Sequence, residues 1–382
     1  MRIARRIRDL AQSDIRRMTR ECERVGGLNL GQGICDLPTP PLVRDGAIAA
    51  IRENRSTYSF AEGARELREA MAQKLRRDNG LTADPATEIC VTVGASGAYA
   101  TAINALLDPG DGILLFEPYY GYHLNAAVVA GFTPEFLTLS PPDFALREDA
   151  LEAAVTPRTR AVVICTPSNP SGKMFSRDEL AILARVATRR DLLVITDEIY
   201  EYIRYDGRPH VSPASIPGLR ERTVTIMGLS KTFSITGWRL GYTVAPPEIT
   251  RALTLVNDLY FVCAPTPLQF GAAAGFDAPR SYFDELQSGY QQKRDRICQA
   301  LREARLPPIV PQGAYYVLAD CSRLGFSTSR EAAMHVLETT RVASVPGSAF
   351  YRGDGGERLL RFCFAKDDAV LDEACTRLAA LR

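Results

Sequence analysis

Three absences narrow the field. The 382-residue chain has no Cys-x-x-Cys pair and only three histidines, and its nine cysteines stand singly. Neither a zinc centre nor a disulfide framework is therefore expected, and reduced thiols in a cytoplasmic protein are the plain reading. Charge of one sign is also missing, since 46 basic and 45 acidic residues leave a net charge of +1. Nucleic acid and anionic membranes select strongly basic surfaces, so neither is expected as a partner. No apolar run approaches the roughly 18 residues of a membrane-spanning helix. The basic start, Met1 to Asp9, lacks the apolar segment of a signal peptide.

What remains is ordinary globular material, 46% hydrophobic and 24% charged. The length allows two or three domains. Strand and helix patterns alternate through the middle of the chain. Buried strands are expected at 88–93, 112–117, 132–137, 160–165, 192–196, 223–227 and 238–245. Helices are expected at 42–54, 64–79, 99–107, 147–155 and 176–189, the last opened by a Ser176/Glu179 capping box. Such alternation predicts an α/β architecture with a mostly parallel sheet. After Pro246 it stops: helices are expected at 249–262, 267–275, about 280–305 and 329–339, with strands at 313–320 and 359–365 and a strand and turn at 342–350. At the N-terminus, 1–26 reads as a helix with Ile3, Ile7 and Leu10 on one face, and its arginine cluster reads either as an anion-binding group or, more plainly, as a solvated helix face. Leu28–Ile34 reads as a short strand.

Several residues carry chemistry at strand ends. Lys231 stands alone in Met227-Gly-Leu-Ser-Lys-Thr-Phe-Ser-Ile-Thr-Gly-Trp-Arg-Leu-Gly-Tyr242, just past a buried strand. A desolvated lysine there is partly neutral and can attack a carbonyl; on spacing alone a surface loop lysine fits equally well. Gly94-Ala-Ser-Gly-Ala98 leads from a strand into a helix, where free N–H groups and the helix dipole suit an anion. Ala95 and Ser96 are the candidate donors. Asp197 ends an apolar strand, where a carboxylate needs a partner. Arg361 alternates with apolar neighbours and needs either an anion or a structural salt bridge. Glu198 and Glu201 could be read as paired general acids, but solvent-facing charge is the plainer reading.

The string Ser-Lys-x-Phe-x-Ile-x-Gly-x-Arg-Leu-Gly at 230–241 resembles the attachment-site signature of the class I/II aminotransferases. These are pyridoxal-phosphate (PLP) enzymes of fold type I. Matching segments run from Gly31 to Arg361. The resemblance implies a large α/β domain at 42–278. It also implies a smaller α+β domain made from the N-terminal arm, 1–41, and the C-terminal part, 279–382.

The resemblance further implies that PLP is attached to Lys231, with Asp197 against its ring nitrogen. Tyr200 and Asn169 then bond the ring hydroxyl oxygen, and Tyr120 lies against the ring face. Ala95, Ser96, Ser230 and Arg239 hold the phosphate, joined by Tyr58 from the second subunit of a homodimer. Gly33 and Asn169 lie by the substrate, whose α-carboxylate Arg361 forks. No metal is implied. One departure is Gly228, which stands where many relatives carry a phosphate-binding serine.

Ser96 stands where relatives specific for aspartate often carry lysine. With Leu30-Gly-Gln-Gly33 and the tyrosines at 119–122, this leans toward neutral, aromatic or glutamine-like amino acids. An aspartate aminotransferase, or a PLP lyase or cyclase, would share the same residues.

Overall fold

A computed structural model describes residues 4–8, 10 and 13–381. A seven-stranded sheet forms its centre. In spatial order the strands are Ile89–Val93, Leu240–Val244, Thr223–Gly228, Leu193–Asp197, Thr159–Cys165, Gly112–Glu117 and Thr133–Thr138. All run parallel except Leu240–Val244, which is antiparallel to both neighbours. The sheet is covered on both faces, which is why its strands read as near-continuous apolar runs. Side chains alternate across it. Leu114, Val162 and Val194 pack with Leu180, Leu183 and Val186 of the helix Arg177–Arg189. Leu115, Val163 and Ile195 pack with Ala98, Ala102 and Ile103 of the helix Gly94–Leu106.

Topology decides where the chemistry lies. The parallel strands all point their C-terminal ends to one edge, the usual binding edge of an open α/β sheet. The reversed strand brings its N-terminal end, and so Arg239, to that same edge. Lys231 follows Thr223–Gly228 on a single helical turn, Leu229–Thr232. The turn Thr236–Trp238 then leads back into the sheet.

A second, antiparallel sheet has the order Val345–Pro346, Leu359–Cys363, Tyr316–Asp320, Pro308–Ile309. The N-terminal segment joins this half, because Leu28–Asn29 pairs in parallel with Val342–Ala343. The capping box at Ser176 forms as expected, with reciprocal bonds to Glu179; such a cap contributes about 1 kcal/mol.

Some expected elements differ. The N-terminal region is two helices, Arg5–Arg8 and Asp14–Arg24, and Ile3 lies outside the described residues. The strand near residue 28 is only Leu28–Asn29, because Asn29 Oδ1 takes the Gly31 and Gln32 amides and turns the chain. Gly94-Ala-Ser-Gly-Ala98 is already the first turn of the helix rather than a loop before it. The helix expected over 64–79 loosens into a π-type turn at Leu75–Asn79 and stops at Gly80, whose backbone is left-handed. No helix among the described residues is long and apolar enough to cross a membrane.

Candidate active site

A cavity of about 310 Å³ opens at the shared strand edge. It is lined by Gly33, Ala95, Ser96, Tyr120, Asn169, Asp197, Tyr200, Ser230, Lys231, Arg239 and Arg361. Eleven of the twelve site residues expected from the sequence thus meet in one place. The twelfth, Tyr58, is 81% exposed and lies elsewhere on this subunit. Tyr119 packs on Phe136 with ring centres 5.6 Å apart and does not line the cavity, whereas Tyr120 does.

Lys231 opens to the cavity but is otherwise surrounded. Its Nζ donates to the Gly33 carbonyl at 3.4 Å and lies 5.4 Å from the Tyr315 ring centre. Burial pushes its pKa down, and Arg239 adds to the effect against the pull of Cys363, Cys35 and Asp197. Such a shift favours the neutral, basic amine. The backbone at Gly33 is locked against this wall, since a Cβ there would fall 1.8 Å from the Tyr316 hydroxyl. Only glycine permits that approach.

Asp197 is 4% exposed and is held from two sides. The Ile199 amide donates to Oδ1 at 3.4 Å, and Oδ2 lies 3.1 Å from His123 Nε2. His123 is itself fixed against Tyr99 and the edge of Tyr120, with ring centres 4.6 and 5.3 Å away. Sequence reasoning missed His123, because a single histidine after an aromatic cluster carries no spacing signal. Tyr200 donates to the Tyr316 hydroxyl at 3.3 Å. Burial raises the pKa of both phenols, Tyr316 to about 12, so both stay protonated and can donate.

Arg361 is only 1% exposed. Its Nη1 donates to Asn169 Oδ1 at 2.9 Å and its Nη2 to the Gly31 carbonyl at 2.5 Å. The guanidinium lies between the rings of Tyr316 and Phe350, with centres 4.3 and 4.8 Å away. No carboxylate faces it among its hydrogen bonds and ion pairs, so its charge stays available to an anion entering the cavity. At the other side, Arg239 reaches Ser96 Oγ at 3.3 Å, beside the N-terminus of Gly94–Leu106. Its backbone is left-handed (φ 57°), a conformation that surrounding structure must impose on a non-glycine residue. Gly228 has a local cause: a Cβ there would meet Ile199 Cγ2 at 2.7 Å.

The expectation that Glu198 and Glu201 face solvent is wrong. Glu198 is fully buried, accepting from Thr196 Oγ1 at 2.6 Å and Ser212 Oγ at 3.1 Å, with His210 Nε2 at 2.7 Å. Glu201 pairs with buried Lys74 and accepts from Asn79 Nδ2 at 2.8 Å. Both carboxylates find distant partners inside, which satisfies their charge.

The family model for aminotransferase class I and II matches residues 25–378. A probable N-succinyldiaminopimelate aminotransferase of Mycobacterium tuberculosis is 36% identical, covering 98% of each chain. The solved structure of the M. tuberculosis N-succinyldiaminopimelate aminotransferase superposes with a TM-score of 0.96 at 36% identity, over 100% of both chains. An aromatic-amino-acid aminotransferase of Thermococcus litoralis is 35% identical over 99% of this chain and 97% of its own.

Proposed function

The chain belongs to the class I and II aminotransferases, PLP-dependent enzymes of fold type I, and we propose that it moves the amino group of a neutral or aromatic L-amino acid to a 2-oxo acid. The donor set suits the cofactor. A buried carboxylate, Asp197, is available for a protonated ring nitrogen. Arg239, Ser96, Ser230 and the amides of Ala95 and Ser96 would hold the phosphate. Asn169 has its Oδ1 occupied by Arg361, which leaves its amide N–H to donate to a ring oxygen alongside Tyr200. When bound, PLP supplies an aldehyde for the amino group and an electron-withdrawing ring for the electrons left at the α-carbon.

The chain's own residues do the rest. Arg361 takes the substrate α-carboxylate in a bidentate grip and so fixes the α-carbon. Lys231 removes the α-proton as a neutral amine and returns a proton as the ammonium. Burial lowers its pKa in the direction this role needs. With PLP bound, Asp197, oriented by His123, would hold positive charge at the ring nitrogen, and Tyr120 would bound the ring face.

The observation that carries the donor class is the cavity wall. Ile15, Ile34, Tyr122 and Ala126 line it, and among the described residues Asp197 is its only acidic one. An apolar side chain loses water favourably against such a wall. The aromatic-amino-acid aminotransferase among the relatives points the same way. The same proposal assigns residues 42–278 to the cofactor-binding unit and makes the active enzyme a homodimer in which Tyr58 serves the partner's site. Tyr58, Phe60, Leu255 and Leu259 form exposed apolar surface suited to such an interface.

The test is an absorbance titration of the holoenzyme with single amino acids. Neutral and aromatic L-amino acids are expected to shift the cofactor band and release their 2-oxo acids. Reaction with acidic amino acids alone would reject the donor class. Ammonia release without conversion of the cofactor to its amine form would reject aminotransfer in favour of a lyase.

A further inference from the structure

Lys231 is steered through its loop as well as at its amine. Three residues beyond it, Ser234 has a left-handed backbone (φ 53°), which a non-glycine residue keeps only where its surroundings hold it. Two neighbours hold it, and both come from the segment that follows Gly33. Thr39 Oγ1 donates to the Ser234 carbonyl at 3.3 Å, and Cys35 Sγ lies 3.4 Å from Ser234 Oγ.

Cys35 also meets a third element. The hydroxyl of Tyr290, on the long helix Arg280–Glu303, lies 3.1 Å from its sulfur. Tyr290 is buried, and among the described residues Cys35 is the one hydrogen-bond partner of its hydroxyl. A buried phenol needs such a partner. Tyr290 stacks on Tyr315 with ring centres 5.8 Å apart, and Tyr315 donates to the same Gly33 carbonyl that accepts from Lys231. The helix also carries Tyr282, whose hydroxyl donates to the Thr232 carbonyl at 2.5 Å. These contacts close a ring. It runs from the Lys231 amine through Gly33, Tyr315 and Tyr290 to Cys35, and returns through Ser234 to the Lys231 loop. Cys35 itself is buried and does not line the cavity.

We propose that Cys35 is a positioning residue for the reaction: its thiol ties the Tyr290 hydroxyl to Ser234 and so fixes the loop that aims the Lys231 amine. A thiol can accept from one hydroxyl and donate to another, which suits a node between two of them. Without it, the Tyr290 hydroxyl is left unpaired inside the protein and the left-handed turn loses one of its two supports. A loop loosened in this way spreads the amine over a wider range of positions. That costs proton transfer more than substrate binding, because Arg361 stands on a different strand, Leu359–Cys363. The proposal rests on the reading of Lys231 as the amine that carries the cofactor and moves the proton.

The test compares wild type, Cys35→Ala, Cys35→Ser and Tyr290→Phe as holoenzymes. Cys35→Ala should lower kcat about tenfold and leave KM within about twofold. Cys35→Ser, which keeps a donor and an acceptor, should restore kcat to within about twofold of wild type. A loosened loop admits water, which favours the charged form of the lysine nitrogen. The pH midpoint of the cofactor absorbance change should therefore rise in Cys35→Ala by about half a unit or more. Tyr290→Phe cuts the node from its other end and should lower kcat in the same way, which keeps the test open if Cys35→Ala does not fold. Wild-type kcat and midpoint in Cys35→Ala, or wild-type kcat in Tyr290→Phe, would overturn the proposal. So would a Cys35→Ser enzyme as impaired as Cys35→Ala, or a Cys35→Ala enzyme that loses only thermal stability. An active Lys231→Ala enzyme would defeat the underlying reading of the lysine, whereas those outcomes defeat the role of Cys35 alone.

Discussion

Nη1 of Arg361 donates to Oδ1 of Asn169 at 2.9 Å, joining a strand near the C-terminus to a turn 192 residues earlier. The bond fixes two things at once. It orients the guanidinium and occupies the side-chain oxygen of Asn169.

Arg361→Lys should therefore lose the bidentate grip while leaving the cofactor in place. The expected fall in kcat/KM is about 10²-fold for every amino acid, acidic or apolar. Steady-state kinetics read alongside the cofactor absorbance check this. A loss confined to one substrate class would contradict the assignment.

His123 acts through Asp197. His123→Gln should lower kcat about tenfold, and Asp197→Asn should lower it by 10² or more, each a rough figure for a lost charge partner in a closed site. Because both changes act on one group, the double variant should resemble Asp197→Asn alone. Fully additive losses would show that His123 works independently.

Gly33→Ala places a methyl group 1.8 Å from the Tyr316 hydroxyl. The Gly33 carbonyl, which accepts from Lys231 and from Tyr315, must then move. Activity should drop by an order of magnitude or more, since displacements near 1 Å carry about that cost. Adding Tyr316→Phe should recover part of it by removing the oxygen. A fully active Gly33→Ala enzyme would mean that the close approach has no catalytic consequence.

Lys231 makes stability depend on pH in the cofactor-free protein. Its folded pKa is lowered by burial, so in the window between the folded value and the ordinary lysine value of about 10.4 the unfolded chain binds more protons. Stability contributed by this site therefore rises with pH across that window. Below it, the charged amine burdens the folded state in full. Lys231→Met should raise the Tm of the cofactor-free protein at neutral pH, and the gain should shrink toward pH 10. Thermal melts at several pH values read this directly, and a pH-independent difference would refute the burial argument.

Tyr58 tests the shared site. Dimers of Tyr58→Ala and of Lys231→Ala should each be impaired, and mixing them with subunit exchange should restore one intact site per hybrid. No recovery on exchange would place Tyr58 outside the partner's site.

Much of this was legible because the residues follow strand ends, where an apolar run stops at a polar group. Asp197, Asn169 and Lys231 each carry that signal. The illegible parts depend on contacts distant in sequence. Glu201 looked solvent-facing until folding brought Lys74 against it, and Glu198 until His210 and Ser212 closed over it. Tyr316 read as one apolar member of a strand, yet its ring supports Arg361 and its hydroxyl faces Tyr200. Gly94 looked like a loop residue because glycines seldom open helices, and tertiary packing overrode that preference.

The central claim is that the amine of Lys231 carries the cofactor. Reduction of the holoenzyme with borohydride, followed by digestion and mass spectrometry, tests it most directly. The account predicts a single pyridoxyl-phosphate label on the peptide containing Lys231 and a colourless, unlabelled, inactive Lys231→Ala variant. A label on another lysine, or an active Lys231→Ala enzyme, would contradict it.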